Sequence, residues 1–175
     1  LPEERARMVQ LLAGVAERCP DWEITIRPRT APEEATFHHQ EVHISATLRS
    51  TLGRLQPANL TLDYSPLSEL LADSRLFGTV SSTAFFDALD LGCQPLVMGD
   101  FGLANGYGTA AFEASGMVRR FATLGDLDAE AGGPGPDPGW LEWMGYHEAF
   151  GPDNLLRALE ELRAKGHQPR PLRHP

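Results

Sequence analysis

The chain has 175 residues, 42% of them hydrophobic, and a formal net charge of -9. That content supports one domain with a real core, and the acidic balance excludes a broad nucleic-acid surface, which needs clustered Lys and Arg. No apolar run reaches the ~18 residues of a membrane span, and no charged-then-apolar leader opens the chain. The first residue is Leu1 rather than methionine, which suggests a processed product or a piece of a larger protein.

The spacing of Met8, Leu11, Leu12, Val15 and Ala16 predicts an opening helix between Pro2 and Pro20, with Glu3, Glu4, Arg5, Arg7 and Glu17 on its other side. Trp22 to Ile26 reads as a strand closed by Arg27-Pro28-Arg29. Between Thr30 and Gln56 the pattern is weak, with possible helices starting at Pro32-Glu33-Glu34 and running from Ile44 to Leu55. Asn59 to Tyr64 is a strand, and Ser65 to Asp73 a helix with Ser65 as N-cap and Pro66 at its first position. Strand Leu76 to Val80, helix Ala84 to Leu91 stopped by Gly92, and strand Gln94 to Met98 follow. Short strands alternating with helices predict a doubly wound α/β fold, Rossmann-like, with a parallel sheet covered on both faces.

Beyond Gly99-Asp100-Phe101-Gly102 lies a glycine-rich segment, Asn105 to Thr109, then a helix through Ala110 to Ala114 and a short strand from Met117 to Phe121. The glycines and prolines from Ala131 to Gly139 suit neither helix nor strand, and a mobile loop is expected there. A last helix runs from Pro152 to Lys165, with Leu155, Leu156, Leu159 and Leu162 on one face. The organisation expected is one domain over residues 1–165 and a flexible tail over 166–175. Cys19 and Cys93 lack paired-ligand spacing, so two buried reduced thiols are expected, and with them a cytoplasmic location.

In an open parallel sheet, ligands lie outside the carboxyl ends of the strands. Three groups fall at such ends: Arg27 and Arg29, then Ser81-Ser82-Thr83, then Asp100 with the glycine-rich segment. The serine-threonine turn would aim free backbone N–H groups and small hydroxyls at one point, which suits phosphate; helix capping alone is the rival reading. Arg27 and Arg29 are either guanidinium groups facing that phosphate or two solvated charges. Gly106-Tyr107-Gly108-Thr109 fits neither a Walker loop nor a dinucleotide fingerprint, and would let the backbone approach a ligand. Tyr107 would stack on a base or pack, and Glu113 would hold sugar hydroxyls or face solvent. His38, His39 and His43 lack a completing Cys or Asp, so no metal is expected. Trp140 and Trp143 are a lid, a domain contact or simple core. Ser81 does not sit in G-x-S-x-G, which disfavours a hydrolase.

Together, Arg27-Pro28-Arg29, Leu71-Ala72-Asp73-Ser74, Thr79 to Leu89, Gly92 and Gln94-Pro95-Leu96-Val97 resemble the donor-binding half of GT-B glycosyltransferases. The similarity is to the branch with an HP and an SS motif, which includes bacterial sialyl- and polysialyltransferases and CDP-glycerol glycerophosphotransferases. The stretch from Gly99 through Gly106-Tyr107-Gly108-Thr109 to Gly116 also resembles a glycosyltransferase family of unknown substrate. The likeness covers about Trp22 to Phe121. It implies that Ser81 and Ser82 bind the donor phosphate, in a transfer that uses no metal. Arg27 stands where the branch has its histidine, so charge stabilisation by Arg27 takes that role.

The function expected is therefore that of a nucleotide-sugar donor domain, incomplete without an N-terminal acceptor half that this chain does not contain. Ser81, Ser82 and Thr83 would cradle phosphates and Arg27, with Arg29, would neutralise the departing nucleotide. Gly106, Tyr107, Gly108, Thr109 and Glu113 would line the pocket. A nucleotide-sugar 2-epimerase-like domain and a non-catalytic α/β assembly module working through Trp140 and Trp143 are the alternatives.

Overall fold

A computed structural model describes residues 2–30, 42–104, 108–146 and 151–165. The chain forms two compact units, Leu1–Gly135 and Pro136–Pro175. The expected helix start at Pro32, the residues His38, His39, Gly106 and Tyr107, and the tail from Gly166 lie outside the described residues.

In the first unit, α1 (Pro2–Arg18) leads to β1 (Ile24–Ile26), α2 (Ile44–Leu52) to β2 (Leu60–Leu62), and α3 (Leu67–Ala72) to β3 (Leu76–Thr79). Then come α4 (Ala84–Asp90), β4 (Gln94–Met98), a 3-10 helix (Thr109–Ser115), β5 (Val118–Arg119) and α5 (Leu127–Ala131). β1 pairs with β2 from Ile24↔Leu60 to Ile26↔Leu62, β3 with β4 from Leu76↔Gln94 to Thr79↔Val97, and β4 with β5 at Val97↔Val118. Every pairing is parallel, so each paired strand is reached by a crossover: α2 joins β1 to β2, α4 joins β3 to β4, and the segment with the 3-10 helix joins β4 to β5, while α3 links the two ladders. The result is the α/β, doubly wound class that the alternation predicts, hydrogen-bonded as a two-stranded and a three-stranded ladder.

Apolar periodicity explains the packing. Val9, Ala13 and Ala16 of α1 and Ile44 and Leu48 of α2 close over Ile26 and Leu60. Each large side chain so buried contributes roughly 1.5–3 kcal/mol. Leu71, Ala88 and Cys93 form a second cluster with Leu67 and Phe77. Both cysteines are buried and free, and burial pushes the Cys93 thiol up to about 11.

Polar ties hold the two ladders. Arg18 donates from Nε to the Leu124 carbonyl (2.8 Å) and from Nη2 to that of Phe121 (2.7 Å). At the amino ends of β1 and β3, the Arg75 guanidinium lies 4.7 Å from the Trp22 ring centroid, and both side chains donate to Asp128 (2.8 and 3.2 Å). Arg119 grips both oxygens of Glu130 at 2.8 Å, fastening α5 to β5.

Three expectations need correction. Ser65 is not the cap of α3: its N–H donates to Asp63 Oδ1 (2.7 Å) in a tight side-chain turn, Pro66 occupies the cap, and the helix starts at Leu67. α5 was not anticipated, although Asp126 caps it by accepting from the Ala129 N–H (2.8 Å). The Ala131–Gly139 stretch is not all loop. Ala131 ends α5, Pro138 and Gly139 open α6 (Pro138–Trp143), and the Gln94 side chain donates to the Pro134 carbonyl (2.7 Å).

In the second unit, Asp137 caps α6 by accepting from the Trp140 N–H (2.8 Å). Trp140 is buried and Trp143 is 73% exposed, while α7 (Pro152–Ala164) leaves Leu155, Leu156, Leu159 and Leu162 exposed. Among the described residues, no helix is long and apolar enough to cross a membrane.

Candidate functional site

β3 ends at Thr79, and the chain turns through Ser81, Ser82 and Thr83, all exposed, into α4. The turn is built from its own polar groups. Ser82 N–H donates to Thr79 Oγ1 (3.0 Å), Ala84 N–H to Ser82 Oγ (3.2 Å), Phe85 N–H to the Ser82 carbonyl (3.2 Å) and Phe86 N–H to that of Thr83 (3.0 Å). These backbone donors are therefore spent internally, unlike the free N–H groups the sequence suggests. Ser82 Oγ thus accepts from the first N–H of the helix, while Thr83, the residue at the cap position, makes no side-chain cap bond. What the turn presents outward is hydroxyl chemistry. Among the described residues, the Ser81 and Thr83 hydroxyls have no hydrogen-bond partner.

After β4 the chain comes back beside this turn at Gly108. Gly108 has φ +71°, open to glycine without cost, and a Cβ built there would lie 3.6 Å from Ser81 Cβ and 3.8 Å from its Oγ. Thr109 next to it is fully buried. Its hydroxyl accepts from Ala104 N–H (3.0 Å) and lies within donating distance of the Gly102 (3.0 Å) and Ala104 (3.3 Å) carbonyls. Thr109 therefore ties the two ends of the glycine-rich segment together, and its oxygen faces inward. Asp100 is likewise spent: it is buried and accepts from Phe121 N–H (2.7 Å) and Ala122 N–H (3.0 Å), clamping the end of β5 beside the end of β4. Glu113 is exposed on the 3-10 helix.

Arg27 and Arg29 are exposed beyond β1, on either side of the buried Pro28. Arg27 Nε donates to the Ser65 carbonyl (3.4 Å), across the parallel pair at the end of β2. Asp63 sits at the same edge, where hydrogen bonds from Ser65, side chain first and then backbone, hold its carboxyl below the usual range.

One aromatic pair at this edge was missed from sequence. The His43 and Tyr64 rings stack with centroids 6.1 Å apart and planes 20° apart. His43 is the N-cap of α2: Nδ1 accepts from Ser45 N–H (3.1 Å), so Nε2 carries the proton and donates to the Thr30 carbonyl (3.0 Å). The sequence signal was only a histidine and serine before an apolar helix. Among the described residues, no three His, Cys, Asp or Glu side chains gather where they could hold a metal.

The structure thus brings Gly108 close to Ser81, sets Arg27 at the β1–β2 edge and turns Thr109 inward. No curated protein and no solved structure matches the chain. Residues 1–162 match the family described as "Putative glycosyltransferase (DUF6716)". That match takes in both ladders, the serine turn and most of α7, and this chain therefore belongs to that glycosyltransferase family.

Proposed function

We propose that the Leu1–Gly135 unit binds the nucleotide-sugar donor of a glycosyltransferase, with the donor phosphate at Ser81, Ser82 and Thr83. The observation that carries this reading is the closeness of Gly108 to Ser81, an exposed hydroxyl with a side-chain-free backbone beside it at the carboxyl edge of a parallel sheet. A Cβ on Gly108 would come within van der Waals reach of the serine. The Trp22–Arg75–Asp128 knot ties the amino ends of β1 and β3, so the two ladders are fastened to each other there. In doubly wound sheets, ligands bind outside the carboxyl ends of the strands. Arg27 and Arg29 follow the carboxyl end of β1 and Ser81 to Thr83 that of β3.

In the transfer, an acceptor oxygen bonds to the anomeric carbon while the bond from that carbon to the phosphate oxygen breaks. The electron pair departs on the nucleotide. A guanidinium facing that oxygen stabilises the developing charge, which is the role given to Arg27 in a transfer without a metal. Each charge-assisted hydrogen bond adds about 1.5–3 kcal/mol, so two or three of them support weak binding unless base and sugar are also held. The reading pairs this unit with a separate acceptor-binding half that carries the general base. The buried free thiols support a reducing, cytoplasmic setting.

A second reading, an assembly module, draws on Trp143 and the exposed leucines of α7. Thermal shift with CMP, CDP, UDP and GDP at millimolar concentration separates the two, because a ligand stabilises the state that binds it. A donor unit gains stability, and the Ser81→Ala/Ser82→Ala double variant loses that gain while remaining folded. Absence of any shift favours assembly. A shift that survives in the double variant places the phosphate elsewhere.

A further inference from the structure

We infer that α7 is a self-association surface that pairs antiparallel with α7 of a second copy of this chain. The inference concerns the second unit and does not rest on the donor-binding reading of the first. Leu155, Leu159 and Leu162 recur at four- and three-residue spacing, so they form one stripe along the helix, with Leu156 beside it. All four leucines are exposed, by 47–60%. The other exposed large hydrophobics among the described residues stand singly in the sequence.

A helix of 13 residues is marginal by itself in water, so most of its stability has to come from covering its apolar face. The stretches 31–41, 105–107, 147–150 and 166–175 each hold one large apolar residue at most: Phe37, Tyr107, Phe150 and Leu172. None of them matches a row of leucines. A second copy of α7 carries the same row, and like surfaces meet about a two-fold axis.

Charge fixes the direction. Asp153, Leu156, Glu160 and Arg163 follow one flank of the stripe, with Asp153 at its amino end and Arg163 at its carboxyl end. Turned end for end on a second copy, that flank is complementary to itself. Asp153 faces the partner's Arg163, Arg163 faces the partner's Asp153, and Leu155 meets the partner's Leu162. A parallel pair would set like ends together and align the helix dipoles. Exposed ion pairs add little, so they choose the direction while the leucines supply the affinity. A seam of ~20 Å buries less than the roughly 1,200 Å² of a standard interface, and a reversible dimer is expected.

The test is sedimentation velocity of the full chain from about 1 to 500 µM. The average mass should rise from monomer toward dimer with concentration. Leu159→Lys or Leu162→Lys should hold it at monomer and leave the melting temperature of dilute protein unchanged, because both side chains are exposed. Leu159→Ala, which keeps helix propensity, serves if a lysine variant does not fold. Direction is read by oxidative cross-linking, since bridged Cα atoms must stand within ~7 Å and the native cysteines are buried. Mixed Leu155→Cys and Leu162→Cys chains should cross-link more than either variant does by itself. A wild type that stays monomeric over that range, as when a different partner covers α7, overturns the inference. So does a dimer that survives the Leu159 and Leu162 variants, or cross-linking that prefers like positions.

Discussion

Gly108 and Ser81 are neighbours through space although a strand and a helix separate them in the chain: a Cβ on Gly108 would meet Ser81 Cβ at 3.6 Å and Oγ at 3.8 Å. The contact is of ordinary van der Waals length, so an added methyl would fit beside the serine. The backbone is less tolerant, because φ is +71°. Gly108→Ala is expected to cost about 1–2 kcal/mol for holding an L-residue in the left-handed region. Gly108→Val adds bulk over the Ser81 hydroxyl and should also reduce nucleotide-induced stabilisation below that of the alanine variant. Urea denaturation measures the first effect and thermal shift with nucleotide the second. An alanine variant as stable as wild type would contradict the assigned backbone geometry.

Thr109 should be sensitive to loss of its oxygen rather than to its shape. Thr109→Val keeps the volume and leaves Ala104 N–H without its acceptor, at a cost of about 1–3 kcal/mol. Thr109→Ser retains the hydroxyl and should recover most of that loss. Equal denaturation midpoints for the valine and serine variants would remove the tie from the account of this segment.

Gly99 directly follows β4 beside β5, and a Cβ there would stand 2.7 Å from Val118 Cγ1. Gly99→Ala should destabilise by about 1–3 kcal/mol through overpacking. Adding Val118→Ala removes the clashing methyl, so the double variant should be more stable than the sum of the single losses predicts. Strict additivity in a double-mutant cycle would place the glycine's role elsewhere.

Asp128 is held below the usual carboxylate range by its hydrogen bonds from Arg75 and then Trp22. A carboxyl depressed on folding stabilises the folded state above its unfolded pKa and loses that contribution as pH falls through the folded value. The knot should therefore support the fold at neutral pH and fade below about pH 4. Asp128→Asn should lower Tm at pH 7 and differ less from wild type at pH 3. A constant difference across that range would mean that ionisation of Asp128 contributes nothing.

Much of the fold was legible because some signals are local. The apolar spacing in α1, the unbroken run of β4 and the stop of α4 at Gly92, which has φ +73°, depend on neighbours in sequence alone. The misread elements turned on competition between equally local signals. Ser65 looked like a helix cap, yet Asp63 two residues earlier captured its N–H first. Pro138 looked like a breaker, yet proline at the start of a helix gives up no needed donor.

The chain's pattern of short apolar runs between helices settled the α/β class and the parallel pairing, because only crossovers can join strands that all run one way. It also marked the serine turn at the end of β3. Which polar groups face outward was decided by folding. Thr109 and Asp100 carry chemistry suited to a ligand, but burial costs a polar group its water, and each found partners inside the protein. Ser81, exposed and approached by Gly108, and Tyr64, stacked on His43, depend on contacts across long stretches of chain that no local signal records.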